Sequence, residues 1–480
     1  MRIGVIGAGF AGLCAAIRLR QAGFAQVTVF ERAAELGGTW RDNSYPGCGC
    51  DIPSPLYSYS FAPNPEWTRL YPSQREIWDY LRRVAADTGA RERIRFGADM
   101  TAARWDEAAR EWRLAFRDGG EASVDILLSA SGFLNKPALP RIEGLGAFRG
   151  PAFHSSQWRH DVDLAGKRVA VVGTGASAIQ LVPELAKSAA RVYVFQRTPP
   201  WVLPRADRAL TARERRWFRR LPFLQRLVRW RIYLRQEILV TGFLGGAWIQ
   251  KRFRKYAAGL LERQVADPAL RARLTPSYAP GCKRLLVSND WYPALQRPNV
   301  ELLTEPVAKL EERRVVGASG AAREVDAVVF ATGFVATEFV APVKVHGRGG
   351  VELGDFWKAG AASHLGISVA GFPNAFFLVG PNTGLGHNSI VFMIEAQVNY
   401  VLGALKRMRR DGAKTLEVLP EVQAESYAAV QRRMKKTVWA SGCRSWYLSA
   451  DGRNDTLWPG STLEYWLRTL RFDAASYREA

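Results

Sequence analysis

Short, largely apolar runs of four to seven residues recur along this chain, and most of them stop at turns rich in glycine. Residues 3–6 and 27–30 read as strands, with a helical stretch at 13–21 between them. Residues 168–172 and 191–195 repeat the arrangement, with a helix running on to about Lys187. Further strands are expected at 124–130 and 325–330, closed by Ser131-Gly132-Phe133 and Ala331-Thr332-Gly333-Phe334, and at 375–380, closed by Pro381-Asn382. A strand, a glycine turn, a helix and a second strand make a βαβ unit, and the chain carries that pattern twice.

The first turn is Gly7-Ala8-Gly9-Phe10-Ala11-Gly12. Its glycines permit a tight turn and let a pyrophosphate approach the free N–H groups at the start of a helix. Glu31, with Arg32 beside it, ends the next strand and is placed to accept hydrogen bonds from an adenosine ribose. Gly37-Gly38-Thr39-Trp40 then gives backbone room beside the dinucleotide. The turn-rich stretch 43–51 ends in Asp51, a carboxylate that either caps its loop or orients an arginine or holds a water beside the bound dinucleotide.

The second turn is Gly173-Thr174-Gly175-Ala176-Ser177-Ala178, and its following strand ends in Gln196-Arg197-Thr198. A carboxylate at that point would repel a 2′-phosphate, whereas a guanidinium pairs with one through two donors. The first site therefore suits FAD and the second NADPH. With no CxxC pair beside either site, disulfide reduction is not expected. The chain is read as α/β, with two Rossmann-like dinucleotide-binding domains and an inserted helical subdomain. The expected division is 1–140 for the first part of the FAD-binding domain and 141–204 for a linker and the first part of the NADPH-binding domain. A helical insertion follows at 205–275, the rest of the NADPH-binding domain at 276–370, and the rest of the FAD-binding domain with a C-terminal lobe at 371–480.

The formal charge of +22 changes the picture only locally. Eleven arginines lie between 205 and 235, opposed there only by Asp207 and Glu214, and no nucleic-acid-binding motif accompanies them. They form either a solvated basic face or a surface for an anionic membrane or an acidic partner. The apolar faces of the same insertion either line a substrate entrance or pack on the core. Five scattered cysteines and five histidines show no metal-ligand spacing, and reduced thiols in a cytoplasmic protein are the simpler expectation. No charged leader precedes the first strand and no apolar run reaches membrane-spanning length. Nothing in the pattern sets an oligomeric state.

Other candidates are Lys283-Arg284, where Arg284 offers permanent positive charge to an oxygen anion, and the second glycine-rich turn around His387-Asn388. A helix starting there, at about 389–405, points to the electron-rich pyrimidine edge of a flavin. The aromatic tail, with Trp439, Trp446, Tyr447, Trp458 and Trp466, either walls the active site or packs a lobe.

The linker Phe148-x-Gly150-xxx-His154-xxx-Trp158 lies just before the second glycine turn. It matches the FxGxxxHxxxW fingerprint, and over nearly its whole length the chain resembles the class B flavoprotein monooxygenases, in particular the type I Baeyer–Villiger monooxygenases. Arg159 stands where the fingerprint usually continues with proline or aspartate. The resemblance implies that NADPH reduces FAD, that O₂ forms a C4a-peroxyflavin, and that this attacks a ketone to give an ester or lactone. It also implies roles for particular residues. Arg284 is the catalytic arginine, Asp51 orients it, and Lys283 contacts the nicotinamide nucleotide. Arg197 and Thr198 hold the 2′-phosphate, Ala331-Thr332-Gly333 is a crossing motif, and His154 and Trp158 couple the domains. Two alternatives stay open: an N- or S-oxygenating monooxygenase acting through a C4a-hydroperoxyflavin, and a flavin-binding sensor or partner-binding protein without turnover.

Overall fold

The computed structural model describes residues 1–480 except Ala341, Arg444 and Ala450. The chain opens with β1 (Ile3–Ile6), α1 (Phe10–Gln21) and β2 (Val27–Phe30). β3 (Ile94–Arg95) adds beside β2, and β4 (Ile126–Ser129) adds on the other side of β1. Every pairing is parallel, with Ile3 facing both Val27 and Ile126. Their side chains are nearly all buried, as strands covered on both faces require.

β5 (Ala152–His154) opens a second parallel sheet. It is followed by β6 (Arg168–Val172), α2 (Ala176–Ser188) and β7 (Arg191–Phe195). The helical insertion is α3 (Ala212–Arg220), α4 (Pro222–Phe243), α5 (Ala247–Gln264) and α6 (Pro268–Leu274), broken at Pro222 and at 244–246. The chain then returns to the second sheet through β8 (Val300–Leu303) and β9 (Ala327–Phe330). β10 (Ala375–Phe377) returns to the first sheet beside β4. α7 (Ile390–Asp411) packs against α1, and α8 (Thr462–Thr469) packs against α7.

The strand orders are β10-β4-β1-β2-β3 and β8-β7-β6-β9-β5. In each sheet the strand before the glycine turn is central, between the strand after its helix and a strand from much later in the chain. Two antiparallel β-meanders, at 100–124 and 307–324, flank these sheets.

α7 continues to Asp411, beyond the expected 405, because its buried face carries on through Leu405 and Met408 to a left-handed Gly412 cap. The cysteine expectation is corrected. Cys282 and Cys443 are joined as a disulfide, with Cα atoms 6.3 Å apart, while Cys14, Cys48 and Cys50 are free. The bond ties the segment before Lys283-Arg284 to the C-terminal lobe. The inner face of the insertion packs at the same place, with Phe243, Ile249 and Phe253 against Cys282, Trp439 and Tyr447.

Candidate active site

One cleft of about 940 Å³ runs past the C-terminal ends of both central strands. It is bordered on one side by Gly7, Gly9, Phe10 and Ala11, and on the other by Gly173, Thr174, Gly175, Ala176 and Ser177. Backbone geometry explains the glycines. Gly7 and Gly173 have φ of +97° and +111°, and a Cβ on them would lie 2.9 Å from the Ala130 carbonyl oxygen and 2.5 Å from that of Ala331. Gly12 does not border the cleft. A Cβ there would sit 1.8 Å from the Gly7 oxygen, so its place is behind the turn, where the helix closes on the strand.

Gly9 and Gly175 cap α1 and α2 without any side-chain bond to the first-turn N–H groups. Those donors are open to an anion at the helix N-terminus. A Cβ on Gly175 would meet nothing within 4 Å, so the space in front of the second helix is clear.

Around the first turn, Glu31 is 4% exposed and its carboxylate accepts hydrogen bonds from Ala8 N at 2.8 Å and Ala33 N at 3.0 Å. Arg41 Nη1 pairs with it at 2.9 Å. Sequence reasoning missed Arg41, which borders the cleft together with Arg32, Gly38, Thr39 and Trp40. Arg32 is exposed and lies 3.8 Å from Asp42.

Around the second turn, Thr174 donates to the Thr198 carbonyl at 3.1 Å, and Arg197 is exposed at the rim. Gln196 turns away and donates to the Arg273 carbonyl at 2.9 Å. Lys283 reaches into the same region, 4.9 Å above the Tyr278 ring. Its pKa is lowered, first by burial and then by the charge of Arg197. Among the described residues neither cation has an ion-pair partner. Two uncompensated cations beside an open helix N-terminus fit a nicotinamide nucleotide carrying a 2′-phosphate, as the first turn with Glu31 fits FAD.

Asp51 and Arg284 meet on the wall between the two turns, with Nη2 3.4 Å from Oδ2. They arrive from opposite halves of the molecule. Asp51 closes the 43–51 loop, and Arg284 precedes a short strand at Leu286–Val287 that pairs with Val202–Leu203. Burial alone would lower the pKa of Arg284. Asp51, with Tyr447 and Cys50, outweighs that effect and raises it. The guanidinium is therefore a fixed positive charge facing the cleft. The backbone behind it is held by the Trp439 indole N–H, which donates to the Gly281 carbonyl at 3.0 Å.

Gln180, on α2, is a second site residue that sequence reasoning passed over. Its amide accepts from Tyr45 Oη at 2.9 Å and donates to the Gly49 carbonyl at 3.0 Å, with Asp51 Oδ1 3.5 Å away. It fastens the loop of the first unit to the helix of the second. No local signal in the sequence separates it from an ordinary surface glutamine.

His154 and Trp158 lie outside the cleft. His154 ends β5 beside β9, with Nδ1 bonded to Ser156 and its ring 5.5 Å from Phe334. Burial lowers its pKa to about 4, so it is neutral at physiological pH. Trp158 packs edge-on against Phe153 at 5.2 Å. Ala331, Thr332 and Gly333, which follow β9, do border the cleft, as does Asn388. The Asn388 amide is engaged by Glu237 at 2.7 Å and Thr462 at 3.2 Å. Of the tail aromatics, Trp446 reaches the cleft, Trp439 and Trp458 are buried in the lobe, and Trp466 is partly exposed.

The family described as Flavin-binding monooxygenase-like matches residues 1–211. A Baeyer–Villiger monooxygenase of Pseudomonas aeruginosa is 46% identical over 478 residues, 99% of this chain and 91% of that protein. A steroid monooxygenase structure bound to NADP superposes with a TM-score of 0.87 at 31% identity, covering 98% of this chain and 97% of that one. The structure of OTEMO in complex with FAD and NADP superposes with a TM-score of 0.90 at 27% identity, covering 100% and 99%. Similarity of that degree along the whole chain shows the family: this protein belongs to the Baeyer–Villiger monooxygenases.

Proposed function

We propose that this chain uses NADPH and O₂ to insert one oxygen atom beside the carbonyl of a small ketone, giving an ester or lactone. The observation that carries the reading is the Asp51–Arg284 pair on the wall shared by the two nucleotide turns. FAD bound at the first turn, once reduced by NADPH, supplies the oxygen-activating chemistry.

The residues of the chain do the rest. Arg197 and Lys283 hold the 2′-phosphate, with Thr198 beside them, and the first-turn amides of α2 hold the pyrophosphate. Lys283 gains most from that anion, because its charge is otherwise opposed by burial and by Arg197. Arg284 stabilises negative charge as it builds on the substrate's carbonyl oxygen. It keeps its own proton throughout, because the neighbouring Asp51 raises its pKa. Asp51 fixes the direction of Nη2, and Gln180 keeps the Asp51 loop against the second unit. His154 and Trp158 support the hinge where Phe334 enters. Trp446 helps to close the cleft against water. Cytoplasmic residence belongs to the same proposal, because the reaction consumes NADPH.

The test gives FAD-loaded enzyme NADPH, O₂ and a panel of linear, cyclic and aryl ketones that also carry a thioether, with products read by mass spectrometry. Ester or lactone is expected. Sulfoxide with no ester from any ketone would overturn the proposal in favour of N- or S-oxygenation.

A further inference from the structure

The longest helix of the insertion carries apolar residues on its outer face as well as on its inner one. On α4, Phe223, Leu227, Trp230, Leu234 and Ile238 are 60%, 56%, 57%, 58% and 61% exposed. Spacings of four, three, four and four residues put them on one stripe. Two polar residues of the same helix, Gln225 and Arg229, face the protein instead. Gln225 donates to the Asn64 carbonyl at 2.6 Å, and Arg229 donates to the carbonyls of Pro55, Leu56 and Ser58. The outward stripe is therefore a fixed surface and is not needed to seat the helix. Exposed apolar residues also lie on α8, at Leu463 and Leu467, and at Leu470 just beyond it. The two helices are pinned together by Glu237, which accepts from Thr462 Oγ1 at 2.6 Å and from Leu463 N at 3.3 Å.

Exposed arginines flank the α4 stripe, Arg226 on one side and Arg231 and Arg235 on the other. An apolar ridge containing an exposed tryptophan and bordered by guanidinium groups matches an anionic lipid interface. A second copy of this chain matches it poorly, because a two-fold contact would set arginines against arginines. Among the described residues no helix is long and apolar enough to cross a membrane, so the contact is with the surface.

We propose that the α4–α8 face seats this enzyme on an anionic membrane surface, with α4 lying in the plane of the lipid headgroups. The proposal is independent of the reaction in the cleft. FAD-loaded protein is floated with vesicles of phosphatidylcholine alone and of phosphatidylcholine with phosphatidylglycerol. Binding to the anionic vesicles, weakened by salt, is the expected result. L227S/L234S is expected to lower it at least roughly tenfold. R226E/R231E is expected to lower it about fivefold per charge. Both variants are expected to keep bound FAD and NADPH oxidation. Absence of binding to anionic vesicles, or binding that L227S/L234S leaves unchanged, would overturn the proposal. So would a dimer in sedimentation that L227S/L234S abolishes while vesicles stay unbound, which would assign the face to a second copy.

Discussion

The two glycine-turn units share one backbone and differ in charge. Gly7 and Gly173 take similar positive φ against the carbonyls of Ala130 and Ala331, and each turn opens a helix with no side-chain cap on its first amides. They part at the end of the following strand. The first unit ends in Glu31, buried and bonded to Ala8, Ala33 and Arg41. The second ends in Arg197, exposed and close enough to Lys283 to lower its pKa. In the proposed function, the backbone donors serve the feature common to both dinucleotides, the pyrophosphate, and the residue one strand further on distinguishes the riboses.

The strongest break of this comparison lies between the units. Arg284→Ala is expected to leave NADPH-driven flavin reduction intact and to cut ester formation by about 10²–10³-fold. Anaerobic stopped-flow reduction and product yield separate the two effects. An ester yield equal to wild type would remove Arg284 from the chemistry.

Charge reversal sharpens the comparison next. Arg197→Glu is expected to raise KM for NADPH by roughly 10–100-fold, the worth of one charged hydrogen bond, with little change for NADH and none in FAD content. Steady-state kinetics with both nucleotides reads this. A variant that still prefers NADPH by the wild-type margin would mean that the phosphate lies elsewhere.

Gln180→Ala tests the fastening between the units. Loss of its bonds to Tyr45 and Gly49, each worth roughly 1 kcal/mol, is expected to lower ester formed per NADPH consumed by at most about 30-fold. Flavin reduction is expected to stay near wild type. Unchanged coupling would confine Gln180 to stability.

The smallest effect concerns pH. Burial lowers His154, His364 and His387 to about 4 each. The unfolded chain, with histidines near 6.5, then binds more protons than the folded one between those values. Stability is fully present above about pH 6.5 and falls as pH drops toward 4. Thermal melts from pH 7.5 to 4.5 are expected to show this, with a shallower slope for His154→Asn. A flat profile would contradict neutral buried histidines.

Most of the fold was legible because a parallel strand buried on both faces leaves a short apolar run ending in glycine. Such runs at 3–6, 27–30, 168–172 and 191–195 announced both sheets. Residues at the ends of these strands, Glu31 and Arg197, were readable for the same reason. What escaped notice depends on contacts distant in sequence. Gln180 meets Gly49 across 131 positions, and Cys282 meets Cys443 across 161. The insertion was recognised as helical and basic. Its apolar residues were expected to line an entrance or pack on the core, and the stripe on α4 instead faces solvent. Periodicity gives the stripe but not its direction, which Gln225 and Arg229 set by bonding inward.

The central claim is that the cleft transfers one atom of O₂ to a ketone. The most direct measurement is a turnover of FAD-loaded enzyme with NADPH, a ketone and ¹⁸O₂, followed by mass analysis of the product. An ester or lactone carrying one ¹⁸O atom, formed in proportion to NADPH consumed, is expected. Consumption of NADPH that yields only hydrogen peroxide, with the whole ketone panel unchanged, would contradict it.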